Sequence, residues 1–511
     1  MSTEDMMEID TTGDGKSVNV KYVEENSMDR ILDSLKEISK TSTTLDSRYI
    51  WRALKDLSAI RKTCLDSATL SALVNILYPD SSSFKVPLLK MINENHKSQV
   101  TDSDKIRSNY PAAFYQIVDS EAKVIDVSAE LNGFIHLLVQ LYLLDNKKFE
   151  ELKIFNEKVI IPKLLSYYNQ RSLDLINAKL WFYIAIGNEK VGETSNAALR
   201  SEMIRFLKSA SLKHDNETRA MLINLIIRSY LSAGEVESAS DFVSKVDFPT
   251  SDVSSPLEAR YYFYLSKVNA IQLDYSTANE YIIAAIKKAP HNSKSLGFLQ
   301  QANKIHCVIQ LLMGDIPELS FFHQPDMEHS LYAYFHLTNT VKIGDLKKFT
   351  SVITKYKQQF IQDGNYQLCV RLRSNVIKTG IRIISLTYKK VSLKDICLKL
   401  RLDSEQTVEY MVSRAIRDGV IQANINHEKG YVETSEVLNI YDTKEPQQIF
   451  DERIRFVNQL HDESIIAMRF PQDNKKKKNG DSKNNQQDDL NDMEMLDDLS
   501  DLSDIDDLGF L

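Results

Sequence analysis

Between Leu368 and Pro471 the spacing of apolar residues changes from helical to alternating and back to helical, and few folds accommodate that order. Leu372, Val376, Ile377, Gly380, Ile383 and Ile384 predict a first helix over 372–386 with one buried face. Ser392 then precedes Leu393-Lys394-Asp395, a hydroxyl at an N-cap with a carboxylate in the first turn, and a short helix to Leu400 follows. Asp403 and Ser404 offer a second cap for a helix through Asp418, striped by Val408, Met411, Val412, Ala415 and Ile416 and ended by Gly419. The period then becomes two from Val420 to Ile425, with a polar turn at Asn426 to Gly430 and a returning Tyr431-Val432-Glu433. Three helices and a hairpin make a winged helix.

A winged helix often reads DNA through its third helix. From Thr387 to Glu433, however, eight basic residues stand against seven acidic ones, and Glu405 and Glu409 occupy the leading half of the third helix. A duplex reader neutralises several phosphates and presents a basic face, so this module is expected to face protein rather than nucleic acid.

With 511 residues, two or three packed units and tails are expected. Only 15 Gly and 11 Pro, and little alternation outside the wing, predict a mostly helical body. Cys64, Cys307, Cys369 and Cys397 show no paired spacing, which suits reduced thiols better than a disulfide framework or zinc site. No run of about eighteen apolar residues is present and the acidic start lacks a signal-peptide pattern, so no membrane association is expected. The net charge of −8 is concentrated in Asn474 to Leu511, which holds five Lys against eleven Asp or Glu.

Residues 1–26 are polar and aperiodic and read as disordered. Residues 27–216 carry helical patterning, first at Ile31, Leu32, Leu35 and Ile38, with a polar stretch between Pro79 and Tyr110. From 217 to 367, turn signals recur at Ala233-Gly234-Glu235, Leu273-Asp274-Tyr275, Met313-Gly314-Asp315 and Ile343-Gly344-Asp345. Counted from Gly234, Asp274, Gly314 and Gly344, the intervals are 40, 40 and 30 residues, which predicts a solenoid of helix pairs. Arg260 to Pro290 is its clearest copy. Tyr262, Leu265, Ser266, Ala278, Ile282 and Ala285 fall where a tetratricopeptide repeat places its packing residues, and Asn269 departs from the expected aromatic. The fold class is thus mostly α, a right-handed TPR-like solenoid followed by a winged helix over 368–440 and an amphipathic helix over 441–471. That helix opens at Pro446 and ends before Pro471. Residues 472–511 read as a disordered tail, in which Lys475 to Lys478 suit either nuclear import or a solvated linker.

Catalytic signatures are missing. Gly13 to Ser17 resembles the end of a phosphate loop, but the first glycine would fall on Asp10 and no strand precedes it. The ten histidines form no metal-binding pair, and no nucleophile motif occurs, so no enzyme activity, cofactor or metal is expected.

A helical-repeat array ending in a winged helix resembles the PCI domain of the proteasome lid, the signalosome and a translation initiation factor. Tyr332 to Asp345, Val370 to Gly380, Ala415 to Tyr431 and Tyr441 to Pro471 closely resemble, within that group, the family of the third non-ATPase regulatory subunit of the 26S proteasome. The likeness covers most of the chain from about Tyr49, leaving the tail after Pro471 undiagnostic. It implies a non-catalytic hetero-oligomeric lid subunit, of cytoplasm and nucleus, that supports degradation of ubiquitylated proteins. Its implied partners are other PCI subunits, MPN deubiquitinase subunits and a small acidic lid protein. A PCI subunit of the signalosome or translation factor is the alternative, and a nucleic-acid-binding winged helix the distant one. The implied interface comprises Ile421, Ile425 and Tyr431 at the wing and Phe450, Ile454, Val457, Leu460, Ile465 and Met468 on the last helix.

Overall fold

The computed structural model describes residues 27–469, excepting 45, 64, 79–81, 93–115, 119–123, 193–196, 250–252, 293–294, 325, 403, 436–440 and 442–443. The readings of 1–26 and 472–511, the Gly13 to Ser17 and Lys475 to Lys478 motifs, Cys64, Asp403 as a cap and Pro471 as a stop lie outside those residues. The described residues fall into two compact units, divided between Glu193 and Thr194. Their division lies upstream of the expected 216/217 boundary, because Ala197–Lys213 packs on Asn216–Ala233.

The first unit is built around Ala129–Asp145. That helix is enclosed on every side: every residue from Ala129 to Leu143 is buried, the apolar majority together with a polar stripe of Asn132, His136 and Gln140 that is hydrogen-bonded inside the core. Ser27–Thr44, Lys85–Ile92, Phe149–Phe155 and Asp174–Val191 pack against it. Gly133 permits the last of these contacts, since a Cβ there would stand 3.2 Å from Ile176 Cγ2. Two features differ from expectation. The polar stretch after Pro79 contains the helix Lys85–Ile92, held by buried Leu88 and Ile92, and Gln116–Val118 pairs antiparallel with Val124–Val127 in a two-stranded sheet. Phe149–Phe155 also continues into a π-helix, Asn156–Leu165, with Pro162 inside it. Proline removes one N–H and crowds the preceding turn, which a wider turn relieves.

His136 sits in this core, stacked 5.8 Å from Phe155 and edge-on to Phe84, with Nδ1 donating to the Asn132 carbonyl at 2.8 Å. Burial pushes its pKa down to about 4. The imidazole must therefore be neutral in the folded chain, while the unfolded chain binds its proton near the ordinary 6.5. Stability should consequently fall as pH drops from about 6.5 towards 4, by as much as about 3 kcal/mol, with none of this loss above 6.5. Half-buried His306, also shifted downward by burial, adds a loss of the same sign. Urea midpoints across this range should show the slope, and His136→Phe should flatten most of it.

In the second unit four successive helix pairs form the repeat array: Asn216–Ala233 with Val236–Lys245, Ser255–Ile271 with Tyr275–Lys288, Leu296–Met313 with Leu319–Phe322, and Glu328–Ile343 with Leu346–Lys355. Leu265, Ser266, Ala278, Ile282 and Ala285 are buried as the repeat requires, and Tyr262 stacks 6.1 Å from Tyr281. Asn269 replaces the usual aromatic by reaching across the pair to Thr277 Oγ1 at 3.3 Å. Each pair turns on one left-handed residue. These are Gly234, Leu273, Gly314 and Gly344, so the second turn is set at Leu273 and not at Asp274, which caps the following helix through Thr277 N. The structural intervals are therefore 39, 41 and 30 residues. Leu273 holds φ +76 with its side chain largely in solvent. A leucine there is strained where glycine is not, so Leu273→Gly should raise stability by about 0.5–1 kcal/mol, readable as a higher melting temperature.

The winged helix follows. Tyr366–Arg371 leads into Arg373–Thr387, then Leu393–Leu400 and Glu405–Arg417. Its core gathers Ile377, Ile381, Ile396, Val408, Val412 and Val432. Gly380 allows the module to seat against the repeat array, because a Cβ there would lie 3.0 Å from the Gly344 carbonyl oxygen and 2.6 Å from Leu400 Cδ2.

Candidate interaction surfaces

The caps form as expected. Ser392 Oγ accepts from Asp395 N at 3.1 Å, Ser404 Oγ accepts from Thr407 N at 3.3 Å, and Gly419 takes φ +72 at the end of the third helix. The sheet has one strand more than the sequence suggested. Lys390–Ser392 pairs with Tyr431–Thr434, which also pairs with Ala423–Asn426, so the returning strand is central and the other two are edges. Residues 420–422 are not strand, because Val420 N closes the helix exit on the Ala415 carbonyl at 3.0 Å. Lys390 and Glu433 are opposite in register and pair at 3.1 Å, while Lys378 holds Asp418 at 2.8 Å and keeps its carboxyl below the ordinary range. His427 Nδ1 meets Glu409 at 2.8 Å, tying the wing turn to the third helix.

This arrangement corrects part of the expected interface. Ile421 is only 7% exposed and belongs to the module's core, so it is a folding residue. Its apolar character suits a core residue as well as an interface residue, and only its packing separates the two. Ile425 is half-buried against the same core, and Tyr431 is half-buried on the central strand with Lys390 Nζ 5.6 Å over its ring. The edges of the sheet are the strands Lys390–Ser392 and Ala423–Asn426.

The last helix, Glu445–Arg469, is a different kind of surface. Its apolar side chains are in solvent: Phe450 at 64%, Ile454 at 56%, Val457 at 59%, Leu460 at 52% and Met468 at 78% exposed, with Ile465 half-buried. Ile449, Phe456 and Ile466 are exposed as well. Phe456 and Ile466 lie outside the expected interface set. Ile449, Phe456 and Leu460 form a second stripe about 100° from that of Phe450, Ile454 and Val457. A helix with two adjoining apolar stripes can pack against two neighbours at once.

Reactive chemistry finds little support. Burial pushes the Cys307 thiol up to about 12 and raises that of Cys369, while Cys397 Sγ donates to the Leu402 carbonyl. Among the described residues no His, Cys, Asp or Glu group is arranged to hold a metal, and no helix is long and apolar enough to cross a membrane.

Three family profiles match the chain in order. Residues 25–338 match a family described as PSMD3-like, N-terminal TPR repeats, residues 353–436 match the PCI domain, and residues 439–507 match a family described as the C-terminal part of a proteasome regulatory subunit. The first begins upstream of Tyr49 and the last extends beyond Pro471, so the likeness reaches further at both ends than the sequence blocks indicated. The 26S proteasome regulatory subunit RPN3 of Saccharomyces cerevisiae is 66% identical over 489 residues, 94% of this chain and 93% of that protein. The probable 26S proteasome regulatory subunit rpn3 of Schizosaccharomyces pombe is 37% identical over 462 residues, covering 90% and 89%. The 26S proteasome non-ATPase regulatory subunit 3 homolog A of Arabidopsis thaliana is 36% identical over 459 residues, covering 88% and 90%. The chain therefore belongs to the Rpn3/PSMD3 family of 26S proteasome regulatory subunits.

Proposed function

We propose that this chain is a structural, non-catalytic subunit of the lid of the 26S proteasome regulatory particle, and that it scaffolds the assembly that degrades ubiquitylated proteins. The observation that carries the reading is 66% identity, across nearly both full lengths, to a protein named as a regulatory subunit of that complex. The same likeness favours the proteasome over the signalosome or a translation factor. Geometry supports an assembling role: the two sheet edges can be extended by winged helices of neighbouring PCI subunits, and the two-striped Glu445–Arg469 helix suits a bundle of helices from several chains. The repeat array and these contacts hold MPN deubiquitinase subunits over the ATPase ring, and a small acidic lid protein is a further partner. Catalysis resides in those neighbours. The chain works in cytoplasm and nucleus. Nucleic-acid binding is not favoured, because Glu409 on the third helix is engaged by His427 where a duplex reader would present cations.

The test is to tag the chain at its N-terminus, purify it from its own cells without cross-linking, and identify stoichiometric partners while assaying chymotrypsin-like peptidase activity. Lid and ATPase subunits with peptidase activity are expected. Recovery in another PCI assembly, or with nucleic acid alone, would discard the reading.

A further inference from the structure

The near-neutral charge of the winged helix conceals a segregation. From Arg382 to Arg401 six cations stand against Asp395 alone, whereas from Leu402 to Glu433 six acids stand against three cations. The basic segment also leaves several apolar side chains in water. Leu386 is 71% and Leu398 77% exposed, and Ile383 and Tyr388 are exposed with them. Ile383 and Leu386 are three residues apart on the outer side of Arg373–Thr387, and Leu398 lies on the outer side of Leu393–Leu400, one turn from Lys394. The two helices meet at Tyr388, whose ring carries Lys399 Nζ at 3.7 Å. Lys394 is exposed and has no acidic partner among the described residues. This packed pair of helices thus presents exposed apolar side chains flanked by cations. It fits a peptide in which carboxylates alternate with leucines.

The chain carries such a peptide. From Asp488 to Asp507 there are ten acids and no base, interrupted by Leu490, Leu496, Leu499, Leu502 and Ile505. We infer that this acidic segment docks in cis on the cation-edged apolar patch between Arg373–Thr387 and Leu393–Leu400, covering it in the unassembled chain. Charge complementarity selects the occupant: clusters of Asp meet Lys394 and Lys399 while the intervening leucines cover Leu386 and Leu398. Reach permits it. The 25-residue Glu445–Arg469 helix is about 37 Å long, and the eighteen residues from 470 to 487 can span up to about 60 Å, enough to return along it. The family profile that covers the last helix also continues to residue 507, so the segment lies within the matched region. The inference does not rest on the proteasomal reading, because it concerns the isolated chain.

Zero-length carbodiimide cross-linking of the dilute, monomeric full chain, mapped by mass spectrometry, tests it. Carboxylates of Asp488 to Asp507 should join Lys394 and Lys399 in preference to other lysines, and the links should fade as salt is raised. Leu398→Asp leaves every lysine in place and alters only a solvent-facing side chain. It should lower the yield about tenfold, the scale of losing one anchor, as should Leu499→Ala with Leu502→Ala in the tail. Links spread evenly over the repeat array, links only between two copies of the chain, or an unchanged yield in Leu398→Asp would each overturn the inference. Leu398→Ser serves as the second variant if the aspartate variant is misfolded by circular dichroism.

Discussion

Gly344→Ala is expected to destabilise the second unit by about 3 kcal/mol, more than any other single methyl added to its turns. Two costs coincide there. The backbone holds φ +73, which an L side chain takes at a cost of about 1–2 kcal/mol, and the new Cβ would lie 2.7 Å from Gly380 N and 2.8 Å from Gly380 Cα. Those are backbone atoms of the first winged-helix helix, and that helix cannot retreat freely because Gly380 is itself pressed on Leu400. Gly314 provides the control. It has φ +107, but a methyl group added there would meet nothing within 4 Å, so Gly314→Ala should show the conformational cost alone. Urea denaturation of both variants isolates the contact between the repeat array and the winged helix. Equal losses would mean that this junction yields without resistance.

Ile454→Asp combined with Val457→Asp should reduce incorporation into the complex by at least about tenfold while leaving the melting temperature unchanged. The two halves of this expectation come from one observation: both side chains are more than half exposed, at 56% and 59%, so the isolated chain gains almost nothing from them. In an assembled bundle each would be an anchor, and a buried carboxylate without a partner would oppose association strongly. Affinity purification with quantitative mass spectrometry reads the outcome. Normal incorporation would refute the bundle, and a lowered melting temperature would show that the helix packs on its own chain.

Local chemistry made much of the winged helix legible. Ser392, Ser404 and Gly419 announce helix ends because each satisfies a backbone requirement that few other residues meet, and all three do so in the structure. Lys390–Ser392 was not legible: three residues are too few to display alternation, and the strand is formed by its pairing with Tyr431–Thr434. The same limit hid Leu273. Glycine marks three of the four repeat turns, whereas at the second the surrounding helices force a leucine into the left-handed region, and sequence alone favoured the neighbouring aspartate. Composition likewise misplaced Ile421, since apolar character is shared by core and interface and only packing separates them. The exposed apolar residues of the last helix were legible in part, because helical spacing reveals one stripe readily and hides a second stripe set beside it.

The unpaired state of that helix bears on how the cell must handle the chain. Phe450, Ile454, Phe456, Val457 and Met468 form a long run of greasy surface that water tolerates poorly. A copy made without waiting partners would hold this surface open for as long as it stayed alone, offering it to other orphan copies or to the machinery that recognises exposed apolar segments. Synthesis in excess of the partner chains should therefore shorten the protein's lifetime rather than enlarge its pool, so that supply of its neighbours sets its abundance.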